Sequence, residues 1–68
     1  MKLVQVVSDS VAAVGYDAST RTMRVLFQSG GLYDYFNADP SLYGEMLRPH
    51  PWRRVGRIVK SHQYSQVG

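Results

Sequence analysis

The chain has 68 residues, no cysteine and a formal net charge of +3. This length allows one domain, which buries only about 60% of the surface its unfolded chain exposes, so the core must be small and well packed. The lack of cysteine excludes disulfides, thiolate metal sites and a cysteine nucleophile, and no apolar run approaches the ~20 residues of a membrane-spanning helix.

The opening MKLVQVVSDS has too short an apolar segment for a secretory leader, so an unprocessed, cytoplasmic protein is expected. From Val11 the run VAAVGYD is apolar with β-branched and aromatic members, ASTR supplies turn chemistry, and TMRVLFQ resumes an alternation, which reads as a hairpin. In the second run Met23, Val25 and Phe27 share one face, and Thr22, Arg24, Leu26 and Gln28 the other. After SGG, LYDYF turns back as a third strand. In NADPSLYGEML, Asp39 is a good N-cap, Pro40 fits the first helical position, and Leu42, Tyr43, Met46 and Leu47 recur at helical spacing. RPHP breaks this helix, and Pro51 opens a second one, PWRRVGRIVKSHQ, with an apolar stripe of Trp52, Val55 and Ile58 or Val59. Gly44 and Gly56 weaken the two helices, and both chain termini read as frayed. The expected fold is α+β: a three-stranded antiparallel β-meander followed by two short C-terminal helices, one domain over residues 1–68.

Charge is distributed unevenly. Residues 1–47 carry Lys2, Arg21 and Arg24 against Asp9, Asp17, Asp34, Asp39 and Glu45, whereas residues 48–68 carry Arg48, Arg53, Arg54, Arg57 and Lys60 with no acid. Arg53, Arg57 and Lys60 recur as one line on the second helix, with Arg54 to one side. Such a helix face suits a polyanion, and it also suits simple solvation. No catalytic constellation accompanies it. His50 and His62 lack a second ligand or carboxylate at metal spacing, no serine stands in a triad context, and Gly30–Gly31 lies between strands rather than before a helix. No enzyme activity, metal or cofactor is therefore expected, and the glycine pair is assigned to positive φ in a hairpin turn.

Two registers of that turn are open, and they put Tyr33 and Tyr35 on opposite faces of the sheet. A two-residue Ser29–Gly30 turn sets Phe27 opposite Leu32, placing both tyrosines beside Arg24 and Leu26 as an aromatic and basic platform. A three-residue SGG loop sets Phe27 opposite Tyr33 and Val25 opposite Tyr35, placing both tyrosines in the core. The first register leaves Asp34 on an apolar face, and the second leaves Leu32 and Phe36 outside or under a helix. Trp52, the only tryptophan, reads as the anchor that docks the second helix.

The order SDSVAAVGYD, TMRVLF, LYDYF and then SLYGEML after an acidic-Pro helix start resembles the KTSC domain. This short module is named for its occurrence at the C-terminus of some lysyl-tRNA synthetases and is also free-standing in bacteria and phages. The resemblance covers roughly residues 8–60. It departs at HPWRRVG, where the family pattern resembles Ser-x-Gly-x-Phe-Asn and this chain has Trp52 for the glycine, Val55 for the aromatic and Gly56 for the asparagine. The resemblance implies a non-catalytic binding module, with RNA as the ligand suggested by the synthetase fusion. Carried over residue by residue, the resemblance implies a binding role only for Tyr33, Tyr35, Arg57 and Lys60.

Two functional expectations follow. In the first, RNA, either tRNA or single-stranded, or another polyanion binds Arg53, Arg54, Arg57 and Lys60, with Tyr33 and Tyr35 stacking on bases. In the second, Trp52, Tyr35 and Arg53 form a protein–protein surface, as in a phage-encoded regulator or inhibitor docking on a host complex. Homodimerisation through an uncovered sheet edge is compatible with either.

Overall fold

The alternating segment TMRVLF forms the middle strand of the sheet in the computed structural model, which describes residues 1–68. The elements are β1 (Val4–Gln5), β2 (Val11–Asp17), β3 (Thr22–Phe27), β4 (Leu32–Tyr35), α1 (Pro40–Met46), α2 (Pro51–Lys60) and β5 (Tyr64–Gln66). The strands lie in the order β1-β2-β3-β4-β5, each antiparallel to the next. The α+β class with two helices holds, but the sheet has five strands rather than three. The chain ends expected to fray instead supply the two edge strands. β1 and β5 span two and three residues, too short for an alternation to stand out, and they exist because β2 and β4 offer them backbone partners.

Neither expected register forms. Val25 opposes Tyr33 and Met23 opposes Tyr35. The loop does have three residues, but they are Gln28, Ser29 and Gly30: the Phe27 N–H donates to the Gly31 carbonyl and the Gly30 N–H to the Phe27 carbonyl, both at 2.9 Å. Gly30 takes the positive φ of +103° that the turn demands, while Gly31 begins the return strand. Starting one residue early slips the strand by two relative to the SGG register. Both tyrosines therefore still face the helices, and the platform with Arg24 and Leu26 does not exist. Arg24 instead faces the opposite side, where its Nε and Nη2 hold Asp34 at 2.7 and 2.9 Å. This paired geometry answers the buried carboxylate of Asp34.

A bulge in β2 between Val11 and Ala13 brings both Val11 and Val14 onto the helix side, where they are fully buried. They join Met23, Val25, Ala38, Leu42, Met46, Val55 and Val59 in the core. Asp39 caps α1 by accepting from the Ser41 N–H at 2.9 Å, with Pro40 in the first turn. In α2, Pro51, Val55 and Val59 form the buried stripe, and Ile58 is 53% exposed. The stripe thus runs through Val59. His50, between two prolines, takes φ +53° and donates its backbone N–H to the Val7 carbonyl at 2.7 Å, tying the interhelical turn to the N-terminal segment. No helix is long and apolar enough to cross a membrane.

Candidate functional site

Placing Tyr33 and Tyr35 on the helix side would bury both if α2 covered the whole sheet. Tyr35 is buried, but Tyr33 is only half-buried. Between α2 and the β4–β5 edge lies an open cleft of about 480 Å³, lined by Phe27, Ser29, Tyr33, Tyr35, Trp52, Lys60 and Tyr64. Tyr35, 6% exposed, is the floor, while Tyr64, 61% exposed, stands at the outer wall. The rings form a continuous contact chain. Trp52 and Phe27 meet edge-on with centroids 5.0 Å apart, Phe27 and Tyr33 at 5.7 Å, and Tyr64 lies 5.8 and 5.9 Å from Tyr33 and Tyr35. Such packing fixes ring positions without hydrogen bonds.

The phenol hydroxyl of Tyr16 donates to the Ala38 carbonyl at 2.7 Å. The hydroxyls of Tyr33, Tyr35 and Tyr64 have no protein partner; those of Tyr33 and Tyr35 are not buried orphans and so reach water, and Tyr64 is exposed. Burial pushes the Tyr35 phenol above the usual tyrosine range, and the neighbouring Tyr33 and Tyr64 add to the rise. It is neutral at physiological pH. No carboxylate lines the cleft, and the only charged group on its rim is the Lys60 ammonium.

The basic residues of α2 divide into two sets. Arg53 holds Asp9 at 2.8 Å, and this hydrogen-bonded guanidinium keeps the Asp9 carboxyl below the ordinary aspartate range. Arg54 donates to Glu45 Oε1 at 3.0 Å and to the Glu45 carbonyl at 2.9 Å, crosslinking α2 to the end of α1. Arg57 and Lys60 pair with no carboxylate. Of the basic line expected from the sequence, Arg53 is tethered to Asp9 while Arg57 and Lys60 are unpaired, and Arg54, to one side of that line, is tethered to Glu45.

Of the candidate residues, Tyr33, Tyr35, Trp52 and Lys60 come together in the cleft, with Arg57 one turn before Lys60 on the helix surface. Arg53 and Arg54 lie outside it. Phe27, Ser29 and Tyr64 complete the lining and were not among the candidates. Phe27 shares the parity of Met23 and Val25 and could have been found from the correct register, whereas Tyr64 becomes visible only once β5 is known. A second groove, beside α1, contains Arg21, Asp39, Glu45 and His62. Its charged and imidazole groups are engaged: Arg21 with Asp39 at 3.5 Å, Glu45 with Arg54, and His62 Nδ1 with the Phe36 carbonyl at 2.9 Å. No group of three or more metal-ligating side chains is present anywhere.

A five-stranded antiparallel meander with two helices on one face and an aromatic cleft beside the second helix defines a small α+β module. The chain matches the KTSC domain over residues 7–50, well over half its length, and it belongs to that family. It is also similar to the crystal structure of a KTSC domain protein from Yersinia pestis, with a TM-score of 0.87 at 20% identity, covering 98% of this chain and 97% of that one. At that identity the likeness concerns the fold. No curated protein matches the sequence. The family match includes Phe27, Tyr33 and Tyr35 and stops short of α2, so one wall of the cleft lies inside the matched region and Trp52, Lys60 and Tyr64 lie beyond it.

Proposed function

We propose that this KTSC domain is a non-catalytic, cytoplasmic binding module for RNA, with single strands as its preferred form. The observation that carries this reading is the Lys60 ammonium on the rim of a cleft walled by five aromatic rings and free of carboxylates. Single-stranded nucleic acids are held by stacking on aromatic side chains beside a positive track, each stacked base contributing about 1–3 kcal/mol. Lys60 and Arg57 are the cations available for phosphate. Arg53 and Arg54 contribute less, because a phosphate must compete with Asp9 and Glu45 for them.

The test is a titration of labelled tRNA and labelled single-stranded RNA at two salt concentrations, using the native chain and an R57A/K60A variant. Salt-sensitive binding that the variant loses supports the proposal. Binding by R53A should stay close to native.

A protein partner is the second reading, favoured by the unpaired outer edge of β5 next to the cleft, where an added strand could insert a side chain beside Trp52 and Tyr35. Capture of a partner that survives nuclease treatment, unaffected by K60A and weakened by Trp52→Ala, would replace the RNA reading with this one.

A further inference from the structure

We infer that the cleft seats one unpaired nucleobase, read without strong base preference, and that Lys60 and Arg57 hold the phosphates flanking it. This deepens the nucleic-acid reading above and rests on it. A volume of about 480 Å³ lies within the range of about 300–1,000 Å³ typical of pockets that take one small ligand. It suits a single base with part of its ribose. A base inside a duplex cannot enter, because its faces are covered by neighbours and its pairing edge is occupied.

The lining argues for a base rather than a purely apolar guest. Tyr33, Tyr35 and Tyr64 bring three hydroxyls without protein partners into one cleft, and Ser29 adds a fourth that makes no protein hydrogen bond. Each hydroxyl both donates and accepts and rotates to suit its partner. A base can therefore satisfy its polar edge here whatever its donor and acceptor pattern. No carboxylate, amide or guanidinium lines the cleft to impose a fixed pattern, hence the weak preference. Tyr64, the most exposed ring, offers stacking surface at the entrance.

The charges fit a nucleotide backbone running along α2. Arg57 precedes Lys60 by three residues, about 4.5 Å along the helix axis, so both side chains project to the same side of the helix. With no acid partner, both are free for successive phosphates on either side of the inserted base. Two such contacts on a single strand correspond to a slope of log K against log salt of about −1.4.

Trp52 is the only tryptophan and lines the cleft, so its emission reports occupancy directly. The native chain is titrated with three probes of equal length: a single-stranded RNA, the corresponding RNA duplex, and an oligonucleotide whose sugars carry no bases. The single strand should perturb the Trp52 emission and bind at least tenfold more tightly than either other probe, with a slope near −1.4 that falls to about −0.7 in K60A and in R57A. Tyr64→Ala, at an exposed position that should not compromise folding, should weaken the single strand about 5- to 100-fold and leave the baseless probe unchanged. Equal binding of the baseless probe or of the duplex overturns base insertion while leaving a polyanion-binding module. Binding of none of the three at low salt overturns the nucleic-acid reading and this inference with it.

Discussion

Gly56 lies directly against the indole of Trp52: a Cβ at position 56 would stand 3.0, 3.1 and 3.2 Å from its Cδ2, Cγ and Cε2. Near-equal distances to three ring atoms put that point over the face of the ring rather than at its edge. The glycine that weakens α2 as an isolated helix is thus what allows Trp52, one turn earlier, to fold back along the helix and meet Phe27. Gly56→Ala should gain about 1 kcal/mol of helix propensity and lose a similar amount as the indole is pushed off Phe27. Stability should stay within about 1 kcal/mol of native, while the Trp52 emission shifts to longer wavelength as the ring moves into water. An unchanged spectrum would mean that the indole is not held against residue 56.

The two branched residues near the end of α2 should differ sharply. Val59 is fully buried and Ile58 is 53% exposed, so their adjacency in sequence hides opposite environments. Val59→Ala removes two buried methyl groups' worth of packing and should cost about 2 kcal/mol, a drop of roughly 10 °C in Tm for a domain of this size. Ile58→Ala should change stability by no more than about 0.5 kcal/mol. Thermal melts of the two variants decide it, and the reverse order would mean that α2 is rotated from the orientation described.

Local signals were legible in the sequence and distant ones were not. The start of α1 was readable because Asp39, Pro40 and Ser41 build the cap among themselves, and the faces of β3 were readable because six residues carry the alternation. The register of β4 was not, since Gln28 to Gly31 contains two possible three-residue loops differing by one position. What selects between them is packing of both strands against the helices. The ion pairs of Arg53 and Arg54 were equally hidden, because Asp9 lies 44 positions from Arg53 and no local pattern links them. The cleft was half legible for the same reason. Tyr33, Tyr35, Trp52 and Lys60 stand out by residue type, but their meeting depends on the β3–β4 register and on Phe27 between Tyr33 and Trp52, and the Tyr64 wall depends on β5, whose three residues carry no pattern of their own.

On the face of the sheet away from the helices, Gly15 admits the N-terminal segment. A Cβ there would stand 2.7 Å from the Lys2 carbonyl oxygen and 3.0 Å from side-chain carbons of Met1 and Leu3. A backbone atom cannot step aside as a flexible side chain can, so Gly15→Ala must displace residues 1–3 and strain β1. The expected cost is about 1–3 kcal/mol, concentrated at that edge. Hydrogen exchange of the Val6 amide, which donates to the Ala12 carbonyl at 3.2 Å, should accelerate more than that of the β2–β3 amides. Uniform acceleration along the sheet would point to global destabilisation instead.

Acid should destabilise the fold through its exposed aspartates. The Ser41 N–H and hydroxyl hold the Asp39 carboxyl below the ordinary range, helped by Arg21, while Ser19 does the same for Asp17 and Arg53 for Asp9. Their folded-state values lie below the unfolded value near 3.9. The stability they supply is therefore present above about pH 4 and disappears as pH falls through the folded values. Asp39→Asn keeps a good N-cap acceptor but cannot titrate, so its Tm should resemble native at pH 6 and fall less steeply between pH 4 and pH 2. A slope identical to native would remove Asp39 from the acid transition.

The opposite limb of the pH profile should report the floor of the cleft. Burial raises the Tyr35 phenol above the unfolded value near 10 by disfavouring its charged form, and the neighbouring Tyr33 and Tyr64 phenols add to the rise. Stability linked to this group is fully present below about pH 10 and is lost as pH rises through the folded value. Phenolate absorbance followed against pH should contain one component titrating above the ordinary tyrosine range, and Tyr35→Phe should abolish it and flatten the alkaline fall in Tm. If Tyr35→Phe instead removes a component at the ordinary value, burial does not raise the Tyr35 phenol and the floor of the cleft is more open to water than described.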